Sequence, residues 1–239
     1  MRASDYGISQ FKFLRNLLFF HGREAYRRNS YTICYMFYKN VLEVIPVFMF
    51  GFLSVFSGTQ IYNNFMYMTF NLFYTSWPII WFATFDYEYP KNFMIRRPRL
   101  YRIGMDNVFF SKWVFWRWIF YAVWQSTLIV FLAYYSLVGL SPQSDGENGG
   151  VYLAGEFVFG ALVIVANMKI LISSYNIGFW LLFFVIGSTL FYIFVYWFLS
   201  TQFTASNEFG TFYQVFSNPQ SYFIILLFAS MFVLIDTGN

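Results

Sequence analysis

The run YKNVLEV, Tyr38 to Val44, sets a lysine, an asparagine and a glutamate among almost wholly apolar neighbours. Lys39 and Glu43 stand four residues apart, about one turn of a helix, so an internal ion pair between them is geometrically open. An ionisable side chain at membrane depth costs about 2.5 to 3.5 kcal/mol on insertion scales and marks a functional site by default. Two readings therefore stand side by side: a self-satisfied Lys39–Glu43 pair, or charges retained for function. Pro46 and Pro78 each remove a backbone hydrogen bond and free a carbonyl inside an apolar run, which suits either a packing kink or a pathway. Asn167 and Lys169 fall late in another such run, and Lys169 is expected to snorkel to the nearer interface. His21, the only histidine, lies beside Gly22 at the end of an amphipathic stretch and reads as a helix-end residue rather than a ligand. Cys34 is the only cysteine, which excludes an intrachain disulfide and a thiolate zinc site.

The elements that must hold these residues follow from composition. Hydrophobic residues make up 59% of the 239 and charged residues 11%, against about a quarter charged in a soluble domain. A hydrocarbon core of about 30 Å takes about 20 apolar residues as a helix. Six runs approach that length: Tyr31 to Phe56, Tyr62 to Phe85, Val114 to Val138, Val151 to Ser173, Ile177 to Leu199, and a shorter Tyr222 to Ile235. They are continuously apolar rather than alternating, which excludes a transmembrane β-barrel. The expected fold is all-α, a polytopic membrane bundle of six transmembrane helices preceded by a short cytoplasmic helical and stalk segment.

Orientation comes from the cations. Arg2, Lys12, Arg15, Arg23, Arg27 and Arg28 precede the first run, and Lys91, Arg96, Arg97, Arg99, Arg102 and Lys112 follow the second. The gaps Ser57 to Gln60, Ser141 to Gly150 and Thr201 to Gln220 hold no Lys or Arg, and the last two carry Asp145, Glu147 and Glu208. The positive-inside rule then puts both termini in the cytoplasm. The net charge of +4 is thus a topology signal, not the footprint of a nucleic-acid partner. The basic loop RRPRLYR could also meet anionic headgroups. The eight Trp, Trp118 among them, read as interfacial belt and lipid packing. Ahead of the first run, Phe11, Phe13, Leu14, Leu17 and Leu18 recur at near-helical spacing among Lys12, Arg15 and Asn16. From Arg23 the chain reads as one helix running from the cytoplasm into the first span, a lever between the two.

The string RASDYGISQFKFLRNLLFFHGREAYRRNSYTICYMFYKN closely resembles the end of the phosphorylation domain and the fifth-helix stalk of P4-type ATPases, the phospholipid flippases. Ala3, Ser4, Asp5, Tyr6, Ile8, Gln10, Phe11, Leu14, His21, Gly22, Arg23, Tyr26, Arg28, Tyr38, Lys39 and Asn40 are its anchors. The resemblance continues through FSG (Phe56 to Gly58), FNLFYTSWP (Phe70 to Pro78), Phe85–Asp86, RPRLYRIG (Arg97 to Gly104), ANMK (Ala166 to Lys169) and Gly187–Ser188. It implies that residues 1–30 close a cytoplasmic phosphorylation domain and its stalk, and that 31–239 form the C-terminal transmembrane domain, helices five to ten of ten.

The same resemblance implies a function: the transport portion of an ATP-driven translocase that moves phospholipid from the exoplasmic to the cytoplasmic leaflet of a eukaryotic plasma membrane or endomembrane. Lys39 and Asn40 would meet the headgroup, and Asn71, Thr75 and Ser76 match sixth-helix polar positions of the same groove. Glu43 departs from the commonest family pattern and would tune Lys39 or contact a cationic amine. The phosphorylated aspartate of D-K-T-G, the nucleotide site and the D-G-E-T loop are not in these 239 residues, so ATP and Mg2+ belong to an N-terminal part and this segment alone is not expected to be catalytically competent. Met1 falls inside the family's anchor string, so a longer polypeptide is expected. A two-span accessory subunit on the exoplasmic side is a further partner implied by analogy. The alternative is a non-enzymatic six-span subunit that binds lipid or plays a structural part.

Overall fold

A computed structural model of the chain describes residues 7–137, 150–202, 209–217, 221–226 and 230. Most of the described residues are helical, and no strand occurs among them. Helix α1 (Lys12–Asn16) runs without interruption through a π-helical stretch, Leu17–Gly22, into α2 (Arg23–Leu53). Gly22 does not end the helix. The extra residue per turn of the π stretch absorbs it, and the lever expected from Arg23 starts a few turns earlier. At 31 residues, α2 is about 46 Å long, more than a hydrocarbon core requires. Pro46 is buried and α2 passes through it.

The second apolar run is a broken span. Asn63 caps α3 (Asn64–Thr69) by accepting the Phe65 amide at 2.8 Å. A π-helical stretch, Phe70–Tyr74, follows. Thr75 then leaves the helical region (φ −130°, ψ −11°) before α4 (Ser76–Phe85) begins. Short helices α5 (Lys91–Arg96) and α6 (Arg102–Met105), separated by a 3-10 turn, carry the basic loop. Three long helices complete the bundle: α7 (Lys112–Leu137), α8 (Gly150–Ser173) and α9 (Phe179–Gln202). After them come α10 (Thr211–Ser217) and the helical residues 221–226.

Among the described residues four helices are long and apolar enough to cross a membrane, those within Lys12–Leu53, Lys112–Tyr135, Gly150–Ser173 and Phe179–Gln202. The expected span 62–85 is divided at Thr75, so no single helix in it has that length. Most of the expected span 222–235 lies outside the described residues, as do Ala3 to Tyr6, Asp145, Glu147 and Glu208. Helix α8 is the axis: 72% of its most apolar window is buried within the protein, against 33% for each of the other three. The others leave one face to lipid, as shown by exposed Trp113, Trp116, Phe120, Phe183 and Phe194. The belt reading of the tryptophans fits Trp113, Trp116 and Trp180, while Trp118 faces inward and meets Tyr31 and Tyr38 edge-on at 5.1 and 5.7 Å.

Close approach of the segment between α2 and α3 to α8 depends on Gly155. A Cβ at Gly155 would lie 1.9 Å from the Ile61 carbonyl oxygen, a backbone atom that cannot swing away. Gly155→Ala therefore displaces the segment between α2 and α3, at an overpacking cost of about 1 to 3 kcal/mol. The expected result is a lowered unfolding temperature in detergent, with Gly187→Ala, which meets nothing within 4 Å, as the unaffected control.

The basic loop lies along the stalk. Arg15 donates to the Ile95 carbonyl at 3.0 Å, the Phe110 amide donates to the Tyr26 hydroxyl at 3.1 Å, and Phe19 meets Tyr101 edge-on at 5.8 Å. Arg96, Arg97, Arg99 and Arg102 stay exposed at the same end of the molecule.

Candidate functional site

Lys39 and Glu43 occupy one face of α2 and turn toward the broken span. Both are buried, at 2% and 4% exposure. Lys39 Nζ donates to Thr75 Oγ1 at 3.0 Å, and the Thr75 hydroxyl donates in turn to the Phe70 carbonyl at 3.1 Å. Glu43 Oε2 accepts from Asn71 Nδ2 at 3.2 Å, while its Oε1 is buried with no hydrogen-bond partner. No Lys39–Glu43 ion pair lies within 4.0 Å among the described residues. Each charge instead braces α2 against a different point of the break, Glu43 below it at Asn71 and Lys39 at Thr75 itself.

The remaining expected site residues divide. Ser76 is half-buried and its hydroxyl donates to the Asn71 carbonyl, so it belongs to the break. Asn71 is exposed beside Glu43. Asn40 is exposed as well; adjacent helical residues point about 100° apart, which turns it away from the face that carries Lys39. The structure thus gathers Lys39, Glu43, Asn71, Thr75 and Ser76 around one break and leaves Asn40 outside it.

Why the span breaks here follows from Pro78. Its ring nitrogen has no hydrogen, and the carbonyl it would have bonded is that of Tyr74, four residues back. In a bilayer that carbonyl needs another donor. Asn167 of α8 provides it: Nδ2 donates to the Tyr74 carbonyl at 3.1 Å and to Ser188 Oγ of α9 at 3.0 Å. Asn167 is 1% exposed, so one amide ties the break to both α8 and α9. Sequence reasoning had placed Asn167 only near a membrane face. The signal that could have found it is the orphaned carbonyl, which obliges some buried donor to approach.

Gln125 went unnoticed in the sequence. It is fully buried on α7 and accepts a hydrogen bond from the Tyr38 hydroxyl. Nor does Lys169 simply reach for the interface. It is half-buried, and its ammonium sits over the rings of Trp118, Tyr121 and Tyr38 at 5.1, 5.6 and 5.7 Å, close enough for cation–π attraction. Tyr31 and Tyr35 donate to the Lys169 and Ala166 carbonyls at 3.1 and 3.3 Å. The α2 face that carries Lys39 is thereby locked to α7 and α8 as well as to the break. No group of three or more His, Cys, Asp or Glu placed to hold a metal occurs among the described residues.

The family model described as phospholipid-translocating P-type ATPase C-terminal matches residues 1–238. The chain belongs to that family. It is 33% identical over 245 residues to phospholipid-transporting ATPase 10 of Arabidopsis thaliana, covering 98% of this chain and 20% of that relative. It is 35% identical over 179 residues to phospholipid-transporting ATPase ID of Mus musculus, covering 74% of this chain and 14% of that protein. The chain thus spans about a fifth or less of the length of these phospholipid-transporting relatives.

Proposed function

We propose that this chain is the C-terminal transport portion of an ATP-driven phospholipid translocase, and that the break at Thr75 with the charges facing it is where a lipid headgroup is held during transfer. The observation that carries the reading is Glu43 and Lys39 together: a buried carboxylate with one oxygen unpaired, and a buried ammonium with a single hydroxyl partner. Two such groups are costly in a bilayer and are retained where a polar ligand completes their hydrogen bonds. Lys39 suits a headgroup phosphate or carboxylate. Glu43 suits an amine, or holds Lys39 in its charged form. Asn71, exposed beside Glu43, makes the outermost contact of this site, and Asn40 faces away from it.

Residues 1–30 then belong to the phosphorylation domain and stalk, and residues 31–239 to the membrane domain, with both termini cytoplasmic in a eukaryotic plasma membrane or endomembrane. ATP and Mg2+ act in the cytoplasmic part that the relatives' greater length provides for, and this segment alone does not hydrolyse ATP. Transfer runs from the exoplasmic to the cytoplasmic leaflet. A two-span accessory subunit meets the exoplasmic end.

The test is the full-length protein reconstituted in vesicles with fluorescent phospholipids of different headgroups. Lipid-stimulated ATP hydrolysis together with ATP-dependent loss of label from the exoplasmic leaflet is expected. ATP-independent lipid binding without transfer would favour a non-enzymatic lipid-binding subunit instead. A finer expectation concerns Glu43→Gln, which keeps the Asn71 contact but removes the charge. It should change the order of preference among headgroups while leaving maximal turnover within about threefold, because one exposed-rim hydrogen bond survives and only a charge-dependent contact of about 1.5 to 3 kcal/mol is lost for amine-bearing lipids. An unchanged order would remove Glu43 from the contact.

A further inference from the structure

The cytoplasmic end of the broken span is held by a second polar cluster, distinct from the site at Thr75. Arg23, Glu24 and Arg27 of α2 are 2%, 2% and 5% exposed, and Asp86, the residue after α4, is 4% exposed. Arg27 Nη2 reaches Asp86 Oδ2 at 2.7 Å and Glu24 Oε2 at 3.0 Å, while Arg23 reaches Glu88 at 2.6 Å and Glu24 at 3.1 Å. Asp86 Oδ1 is also used: it accepts the backbone amides of Tyr175 at 3.0 Å and Asn176 at 2.9 Å, in the turn between α8 and α9. The Arg27 guanidinium lies 5.2 Å from the Tyr175 ring. Arg28 donates to the Thr84 carbonyl at the end of α4. One carboxylate therefore joins three elements: the stalk, the end of the broken span and the α8–α9 turn.

The spacing gives this joint its consequence. Along α2, Arg27 and Lys39 are twelve residues apart; along the broken span, Thr75 and Asp86 are eleven apart. At 1.5 Å per residue these lengths are about 18 and 16.5 Å. They are bridged at one end by Arg27–Asp86 and at the other by Lys39–Thr75. Two antiparallel helices of matched length, pinned at both ends, move as one body; of the two points where the backbone leaves the helix, Thr75 and Asp86, Asp86 is held by Arg27 and by the Tyr175 and Asn176 amides.

We propose that Asp86 is a positioning residue that makes the stalk and α4 a single two-rail body, so that displacement of the stalk arrives at the Lys39–Thr75 contact without slack and bending is confined to the break at Thr75. This rests on the translocase reading for its consequence, though not for its geometry. The residue acts through Arg27 and the α8–α9 turn and touches no lipid.

Asp86→Asn in the full-length protein tests it, because the amide keeps an oxygen for Tyr175 and Asn176 and loses only the ion pair. Phosphoenzyme formed from ATP should reach the wild-type level, its lipid-stimulated breakdown should slow tenfold or more, and the half-saturating lipid concentration should stay within about twofold. Arg27→Lys, which keeps the charge but not the paired donors, should show the same split to a smaller degree. Equal loss of formation and breakdown in both variants, or no change in either, overturns the proposal. Should the wild-type phosphoenzyme ignore lipid, the translocase reading fails by itself, and the joint is then read by amide hydrogen exchange. Tyr175 and Asn176 should exchange at least tenfold faster in Asp86→Ala than in Asp86→Asn, and equal rates would dismiss the joint.

Discussion

Replacing Lys39 by alanine in the full-length protein lowers lipid-stimulated ATP hydrolysis at fixed lipid about tenfold or more without lowering the unfolding temperature. A hydrogen bond to a charged group contributes about 1.5 to 3 kcal/mol, which converts to roughly ten- to hundredfold if the headgroup contact is made chiefly in the transition state. Stability changes little: the alanine variant loses the Lys39–Thr75 bond but also the desolvation cost of an ammonium that is 2% exposed, and the two offset. Loss of activity with unchanged or raised stability separates a transport residue from a structural one. Lipid titrations of ATP hydrolysis and thermal unfolding of the same preparations measure both, and an unchanged titration would remove Lys39 from the lipid path.

Asn167→Ala should be the most destabilising single change at the site. It orphans the Tyr74 carbonyl, which Pro78 has already deprived of its helical donor, and it leaves a hole at a position 1% exposed. An unsatisfied buried group costs about 1 to 3 kcal/mol and the cavity adds to that, so a fall of roughly 5 to 15 °C in unfolding temperature is expected. Ser188 keeps its bonds to the Phe184 and Val185 carbonyls, which confines the loss to Tyr74. Pro78→Ala restores a backbone N–H, which a helix continued through residue 75 would bring to that carbonyl. The Asn167→Ala, Pro78→Ala pair should therefore recover a good part of the loss, a non-additivity that a double-mutant cycle measures. Strict additivity would mean that the Asn167–Tyr74 bond does not hold the break.

The sequence showed the all-α membrane character plainly, since continuous apolar runs bounded by cations leave few alternatives. Lys39 and Glu43 stood out for the same reason, as charges where charges are expensive. Their partners did not. A four-residue spacing allows Lys39 and Glu43 to meet each other, and only the placement of Thr75 and Asn71 on a separate segment shows that each bonds across to the break instead. Pro78 announced a freed carbonyl but not the donor, because Asn167 is 93 residues from Tyr74 and helix pairing is a tertiary matter. In the sequence Arg23 and Arg27 read only as topology-setting cations and Asp86 only as part of the family-like Phe85–Asp86 pair, with nothing to join them to Glu24 and Glu88. The burial of this cluster depends on the residues after α4 and the α8–α9 turn closing over the start of α2, which no local pattern encodes. Gly155 was equally silent, since its role is set by the crossing of Ile61.

The central claim is that a phospholipid headgroup occupies the break faced by Lys39 and Glu43. A phospholipid with a photoactivatable group in its headgroup, irradiated in vesicles containing the full-length protein during ATP turnover, tests it by mapping the labelled peptides. The account predicts label on residues 39–43 and 71–76, suppressed by excess unlabelled lipid. Label confined to the lipid-facing surface of α7, around Trp113, Trp116 and Phe120, and unaffected by competitor would contradict it.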